Sequence, residues 1–198
     1  FTLNGGPQAF VPLLGKHTAA NSLAALAVGR ALGISDEAII AGLSEANGPE
    51  MRLQLKTIGG ITVLNDAYNA NPASMRAALE TLRSLRTNGR RVAILGEMRE
   101  LGLWAEQYHR EIGELAARCG LDGLVCVGPC AGWIAEAAIA AGMPHQVVSH
   151  YADAAAAGDA VSRWISEGDL ILLKASRAVG LETITKSISG MRRFSAAG

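Results

Sequence analysis

Three short apolar runs in this sequence each end on a cluster of polar side chains. The first cluster is Asn65-Asp66-Ala67-Tyr68-Asn69-Ala70-Asn71-Pro72. Asn71 has an ordinary explanation, as the cap of a helix that Pro72 opens. Capping leaves Asp66, Tyr68 and Asn69 unexplained. A carboxylate, an aromatic face and an amide beside one another suit a ribose, a base and a polar edge. The second cluster is Leu95-Gly96-Glu97-Met98-Arg99-Glu100-Leu101-Gly102, where Gly96 permits close backbone approach and Glu97 offers a carboxylate. Taken by itself, it reads more readily as a charged loop between two elements. The third is Lys174-Ala175-Ser176-Arg177, directly after Leu170-Ile171-Leu172-Leu173. Lys174 and Arg177 can hold a carboxylate or phosphate, Arg177 in a bidentate fork, and the alternative is a pair of solvated cations. Upstream, Gly15-Lys16-His17-Thr18 opens a helix in which His17 and Asn21 are four apart and share a face if the helix starts early enough. Free N–H groups there suit an anion or polar ligand. An ordinary helix start capped by Thr18 is the other reading.

The elements that must position these groups follow from the hydrophobic rhythm. A short hairpin is predicted over residues 1–14, turning at Asn4-Gly5-Gly6-Pro7. A helix follows from about Thr18 to Leu32, with Ala19, Leu23, Leu26 and Ala27 on its stripe. Ser35 caps a second helix ending near Leu43, and Asn47-Gly48-Pro49-Glu50 is the linker candidate. Beyond it, strands alternate with helices: strands at 53–58, 61–65, 91–95, 123–127, 146–149 and 170–173, and helices at 72–85, 103–119, 131–141, 152–165 and 181–188. This predicts an α/β fold, a mainly parallel sheet with helices on both faces. In such sheets, sites lie beyond the C-terminal ends of the strands, where the three clusters stand. In the helix after residue 102, Trp104, Tyr108, Ile112 and Leu115 read as a core stripe, with His109 beside it.

Composition narrows the function. Lys+Arg and Asp+Glu number 18 each, so no global basic field favours nucleic acid or an anionic membrane. Hydrophobic residues make up 49%, enough for a buried core. No apolar run approaches the roughly 20 residues of a spanning helix. The three cysteines, Cys119, Cys126 and Cys130, read as reduced thiols of a cytoplasmic protein. The histidines show no metal-ligand spacing, so no protein-held metal is expected. Neither a G-x-x-x-x-G-K-[ST] phosphate loop nor a G-x-G-x-x-G turn is present. The chain opens Phe1-Thr2-Leu3, not on methionine, and reads as a piece of something longer.

Taken in order, these strings resemble the Mur ligases of bacterial cell-wall synthesis. The matching stretches are Gly15-x-His17 with Asn21-x-Leu23-Ala24-Ala25, Arg52-Leu53, Asp66 to Pro72 with Ser74-Met75, Leu95-Gly96-Glu97-Met98-x-Glu100-Leu101-Gly102 with His109, and Lys174-Ala175-Ser176-Arg177 with Leu181-Glu182. The D-A-Y-N-A-N-P and L-G-E-M-x-E-L-G strings resemble the member that joins D-alanyl-D-alanine to UDP-N-acetylmuramoyl-tripeptide. The resemblance implies that residues 1–48 are the C-terminal segment of a central ATPase domain, and residues 49–198 a Rossmann-like C-terminal domain. It implies ATP and Mg2+ as cofactors, an acyl-phosphate intermediate, and no activity without the upstream phosphate loop. By the same resemblance, Asn21 contacts adenine, Arg52 reaches the γ-phosphate, Asp66 meets the ribose and hinge, and Tyr68 and Asn69 lie against the nucleotide. Ser176 and Arg177 meet the dipeptide, with His17, Glu97 and Lys174 as further candidates. Two positions depart from the family pattern: Thr18 stands where Asn is usual, and Met51 where Gly precedes the linker arginine. A ligase of the same superfamily adding another amino acid or glutamate is the alternative within the class. A non-catalytic α/β binding module is the alternative outside it.

Overall fold

The computed structural model describes residues 1–2 and 8–195. The chain divides into two compact units, Phe1–Pro49 and Glu50–Gly198. In the first, Thr2 bridges Gln8 in antiparallel fashion, and the Ala9 N–H donates to the Phe1 carbonyl at 2.9 Å. The predicted turn at Asn4-Gly5-Gly6-Pro7 lies outside the described residues. Helix α1 (Lys16–Ala31) begins earlier than the sequence pattern predicts. Gly15, at φ 92, occupies the cap position, so the expectation of a Thr18 cap is corrected. Thr18 lies inside the helix and its hydroxyl donates back to the Leu14 carbonyl at 2.8 Å. The predicted stripe is also rotated: Thr18, Ser22, Leu26 and Gly29 are buried, and Leu23 is exposed. Gly29 lets α2 (Asp36–Ser44) pack closely, since a Cβ there would come within 2.7 Å of the end of the Ile39 side chain, which would have to move. Ser35 caps α2 as expected, accepting from the Ala38 N–H.

The second unit is a six-stranded sheet in the order β1-β2-β6-β3-β4-β5. The strands are β1 (Gln54–Ile58), β2 (Ile61–Asn65), β3 (Arg91–Gly96), β4 (Gly123–Val127), β5 (Val148–Tyr151) and β6 (Leu170–Lys174). β1 and β2 form an antiparallel hairpin, and every other pairing is parallel. The parallel strands are apolar on both sides because helices cover both faces. On one face lie α3 (Pro72–Ser84), α4 (Ala105–Ala117) and α5 (Gly132–Ala140), over Leu64, Leu95, Leu124 and Leu172. On the other lie α6 (Ala154–Ser162) and α7 (Glu182–Ser195), over a core of Ile61, Val63, Ile94, Val125, Ile171, Leu173, Ile184 and Ile188.

α3 shows how directly sequence becomes local structure. Asn71 accepts from the Ser74 N–H at 2.8 Å, and the Ser74 hydroxyl accepts from the Asn71 N–H at 3.0 Å. Pro72 follows with no N–H to lose. Met75, Ala78, Leu79 and Leu82 are buried as the spacing predicts. α4 departs from expectation. Its buried face carries His109, Ile112, Gly113 and Ala116, while Trp104 is exposed. The close α4–α5 crossing sets that rotation, since a Cβ at Gly113 would stand 2.2 Å from the Ile134 carbonyl.

Candidate functional site

The sheet order brings the three polar clusters together. β2, β6 and β3 are neighbours, and their registers pair Asn65 with Leu173 and Lys174 with Leu95. The strands therefore end level, and the loops beginning at Asp66, Ala175 and Glu97 rise side by side from one edge. β1 runs antiparallel to β2, so its start delivers Arg52 to the same edge.

Asp66 organises this corner. Its Oδ1 accepts from the Leu53 N–H at 3.0 Å and its Oδ2 from Lys174 Nζ at 2.5 Å. Lys174 also donates to the Asn69 carbonyl at 3.1 Å and is 1% exposed. Burial pushes the Lys174 ammonium below its ordinary range, and the Asp66 charge draws it part of the way back. The pair fastens the linker turn, the strand end and the following loop together. Lys174 is thus placed as an internal strut, not as a group facing solvent. Asn69 is exposed and its Oδ1 accepts from the Ala70 N–H at 2.8 Å.

Met51 and Leu53 adopt φ of 57 and 47, a left-handed conformation that branched or bulky side chains seldom take. Between them Arg52 turns outward and lays its guanidinium over the Tyr68 ring, 4.6 Å from the centroid. The Tyr68 N–H donates to the Met51 carbonyl at 3.2 Å. A cation stacked on an exposed aromatic face gives this corner both a phosphate-seeking charge and a flat surface for a base.

The second group stitches the β3 and β6 loops. Glu97 is buried; its Oε1 accepts from Arg99 Nε at 3.0 Å and its Oε2 from the Cys130 N–H at 3.3 Å. The Ser176 N–H donates to the Glu97 carbonyl at 3.1 Å, and the Ser176 hydroxyl accepts from the Arg99 N–H at 2.9 Å. Below them His109 is fully buried. Its Nε2 accepts from the Met98 N–H at 2.9 Å, which leaves Nδ1–H to donate to the Ala105 carbonyl at 2.6 Å. Burial pushes His109 below its ordinary value of 6.5, against the Ala105 carbonyl and the Glu97 charge. The neutral imidazole thus braces the loop that carries Glu97.

Arg177 is exposed and reaches Met51 Sδ at 3.1 Å and Glu182 Oε1 at 3.4 Å. Glu182 Oε2 is buried with no hydrogen-bond partner among the described residues. The sequence pattern did not single out Arg99 or Glu182 as site groups. The i,i+2 spacing of Glu97 and Arg99 was the available signal for the first. Glu182 stands five residues after Arg177 and belongs to the same matching stretch, but the sequence gives it no role. Of the expected residues, Arg52, Asp66, Tyr68, Asn69, Lys174 and Arg177 converge around the linker turn, and Glu97 and Ser176 form the adjoining group. His17 and Asn21 lie on α1 in the first unit, both exposed and one helical turn apart.

The chain that folds in this way is similar to known proteins in sequence and in fold. The family model of the Mur ligase glutamate ligase domain matches residues 51–177, and the chain belongs to the Mur ligase family. It is 40% identical over 190 residues to the UDP-N-acetylmuramoyl-tripeptide–D-alanyl-D-alanine ligase of Bacillus subtilis, covering 95% of this chain and 41% of that protein. It is 33% identical to the Escherichia coli ligase of the same name, covering 94% of this chain and 40% of that protein. Among solved structures, a MurF of Acinetobacter baumannii superposes with a TM-score of 0.82 at 30% identity, covering 93% of this chain and 41% of that one. The MurF ligase of Thermotoga maritima in complex with ADP gives 0.76 at 27% identity, covering 92% of this chain and 40% of that one. The chain therefore spans about 40% of the length of the relatives it matches.

Proposed function

We propose that this chain is the C-terminal portion of an ATP-dependent ligase that adds D-alanyl-D-alanine to UDP-N-acetylmuramoyl-tripeptide. The observation that carries the reading is the Arg52–Tyr68 platform fixed to the Asp66–Lys174 pair, in a chain similar throughout to ligases of that name. Residues 1–48 then belong to the central ATPase domain and residues 49–198 to the C-terminal domain. ATP supplies the phosphoryl group that activates the tripeptide carboxylate, and Mg2+ neutralises its phosphates. The residues here bind and orient. Tyr68 offers its ring to the base, with Asn69 at the base's polar edge. Arg52 leaves that ring for the γ-phosphate, and Asp66 keeps the linker turn in register beside the ribose. Ser176 and Arg177 meet the dipeptide, Arg177 through its carboxylate, with Glu97 holding the adjoining loop. Asn21 contacts adenine, with His17 beside it. Such a reaction needs positioning and charge stabilisation more than covalent help.

The substrate assignment is tested on the full-length gene product by phosphate release with UDP-N-acetylmuramoyl-tripeptide, ATP and D-alanyl-D-alanine. Release that requires D-alanyl-D-alanine is expected. Release with glutamate or diaminopimelate and not with the dipeptide would overturn it. Replacing Arg52 by Ala should cut kcat/KM by about a hundredfold, the scale of a lost transition-state charge contact.

A further inference from the structure

A cavity of 330 Å³ opens between the β1–β2 hairpin and α7, away from the linker turn. Its walls include Lys56, Ile58, Asn65, Thr185, Lys186 and Ser189, and no carboxylate lines it among the described residues. The register explains the grouping. Lys56 and Ile58 pair with Val63 and Ile61, and Gln54 with Asn65, so all of these point to the face that α7 covers.

Three features give the cavity a definite chemistry. Lys56 and Lys186 both face it, and neither forms an ion pair among the described residues. Asn65 is only 3% exposed. Its Oδ1 accepts from the Ala67 N–H at 3.2 Å, which fixes the amide's orientation. The Nδ2 group makes no hydrogen bond among the described residues and has the cavity before it. Asn65 lines the cavity, so its amide is placed to donate to a bound group. Finally, Thr185 and Ser189 spend their hydroxyl protons on the carbonyls of Glu182, at 2.6 Å, and Thr185, at 2.8 Å. Their oxygens therefore present lone pairs to the cavity. Two cations, an amide, two hydroxyl acceptors and the apolar Ile58 around one cavity suit a phosphate carrying a hydroxylated body.

We propose that this cavity is a second ligand site, distinct from the nucleotide corner, and that it takes a small sugar phosphate. Lys56, Lys186 and the Asn65 amide hold the phosphate. Thr185 and Ser189 accept from sugar hydroxyls, and Ile58 packs on the ring. The proposal does not depend on the ligase reading.

Glucose 6-phosphate serves as the probe, titrated calorimetrically into the protein alongside inorganic phosphate and glucose. Binding of glucose 6-phosphate tighter than inorganic phosphate is expected, with none for glucose. Asn65→Asp keeps the acceptor for the Ala67 N–H and replaces the donor with a negative charge. It should weaken binding at least about tenfold, as should Lys56→Gln or Lys186→Gln, each removing a charge-assisted contact. Arg52→Ala and Arg177→Ala should leave it unchanged. The two lysine variants alter exposed side chains and decide the matter even if Asn65→Asp fails to fold. No binding of glucose 6-phosphate, inorganic phosphate binding equally well, binding indifferent to both lysines, or binding lost with Arg52→Ala would each overturn the site.

Discussion

At the scale of single residues, the Asp66–Lys174 pair is the most constrained feature of the site. Both groups are buried, and each makes two specific contacts with the surrounding loops. Removing one partner leaves the other charged and poorly solvated, whereas removing both leaves only a packing change. Lys174→Met should cost about 3–5 kcal/mol in urea unfolding, and adding Asp66→Asn to it should recover a good part of that loss. A double variant that is simply the sum of the single losses would show that the two do not act as a unit. His109 makes a second prediction at this scale. Burial holds it neutral in the native state, while the unfolded chain takes up a proton below its ordinary value of 6.5. Unfolding then binds more protons, so stability falls as pH drops from about 6.5 toward the depressed native value and levels off beneath it. Urea titrations across that window should show the slope in the wild type. His109→Gln should flatten it, and an equal slope in both proteins would exclude His109 as its source.

At the scale of elements, the linker turn and the α4–α5 crossing carry the clearest expectations. Met51 stands at φ 57 with a full side chain. Glycine at that position relieves the left-handed strain, offset in part by greater freedom in the unfolded chain. Met51→Gly should therefore leave thermal stability equal or higher by up to about 1 kcal/mol. A marked loss would mean that the Arg177 contact to the Met51 sulfur outweighs the strain. Gly113→Ala should be severe, because the added carbon lands 2.2 Å from the Ile134 carbonyl and the helices must separate. A drop in melting temperature without loss of far-ultraviolet helix signal is expected. These elements were largely legible in the sequence. Asn71-Pro72 with Ser74 marked the start of α3, and β2 and β4 fell on their predicted residues, because caps and β-branched runs are local signals. The errors lay in facing direction and in β5, predicted at 146–149 and formed at Val148–Tyr151 after a 3-10 turn at His145–Val147. Trp104 and Leu23 are apolar residues that local spacing turns inward, yet they are exposed. Which side of a helix is buried depends on what packs against it, and on small residues such as Gly29 and Gly113 that set how close a neighbour comes.

At the scale of the whole molecule, the unit from Glu50 onward contains the entire sheet and both helical layers. Residues 50–198 produced alone should unfold in one cooperative transition and give the far-ultraviolet spectrum of an α/β domain. A broad, non-cooperative melt would show that the preceding segment is needed. At its N-terminal edge the sheet is closed by Asp169. Burial alone would raise its pKa, but hydrogen bonds from the Arg90 guanidinium and from the Ser166 and Arg90 N–H groups bring it below its ordinary value. The sequence by itself determined the class of fold, the elements and the polar clusters at the strand ends, since period, capping and turn chemistry act over a few residues. It could not determine that β6 inserts between β2 and β3. That placement is set by long-range packing of apolar strands, which the local pattern does not distinguish. It is what carries Lys174 to Asp66 across 108 residues of chain, and Ser176 to Arg99 across 77. The same sheet order leaves Asn65 buried beneath α7, in the wall of the second cavity.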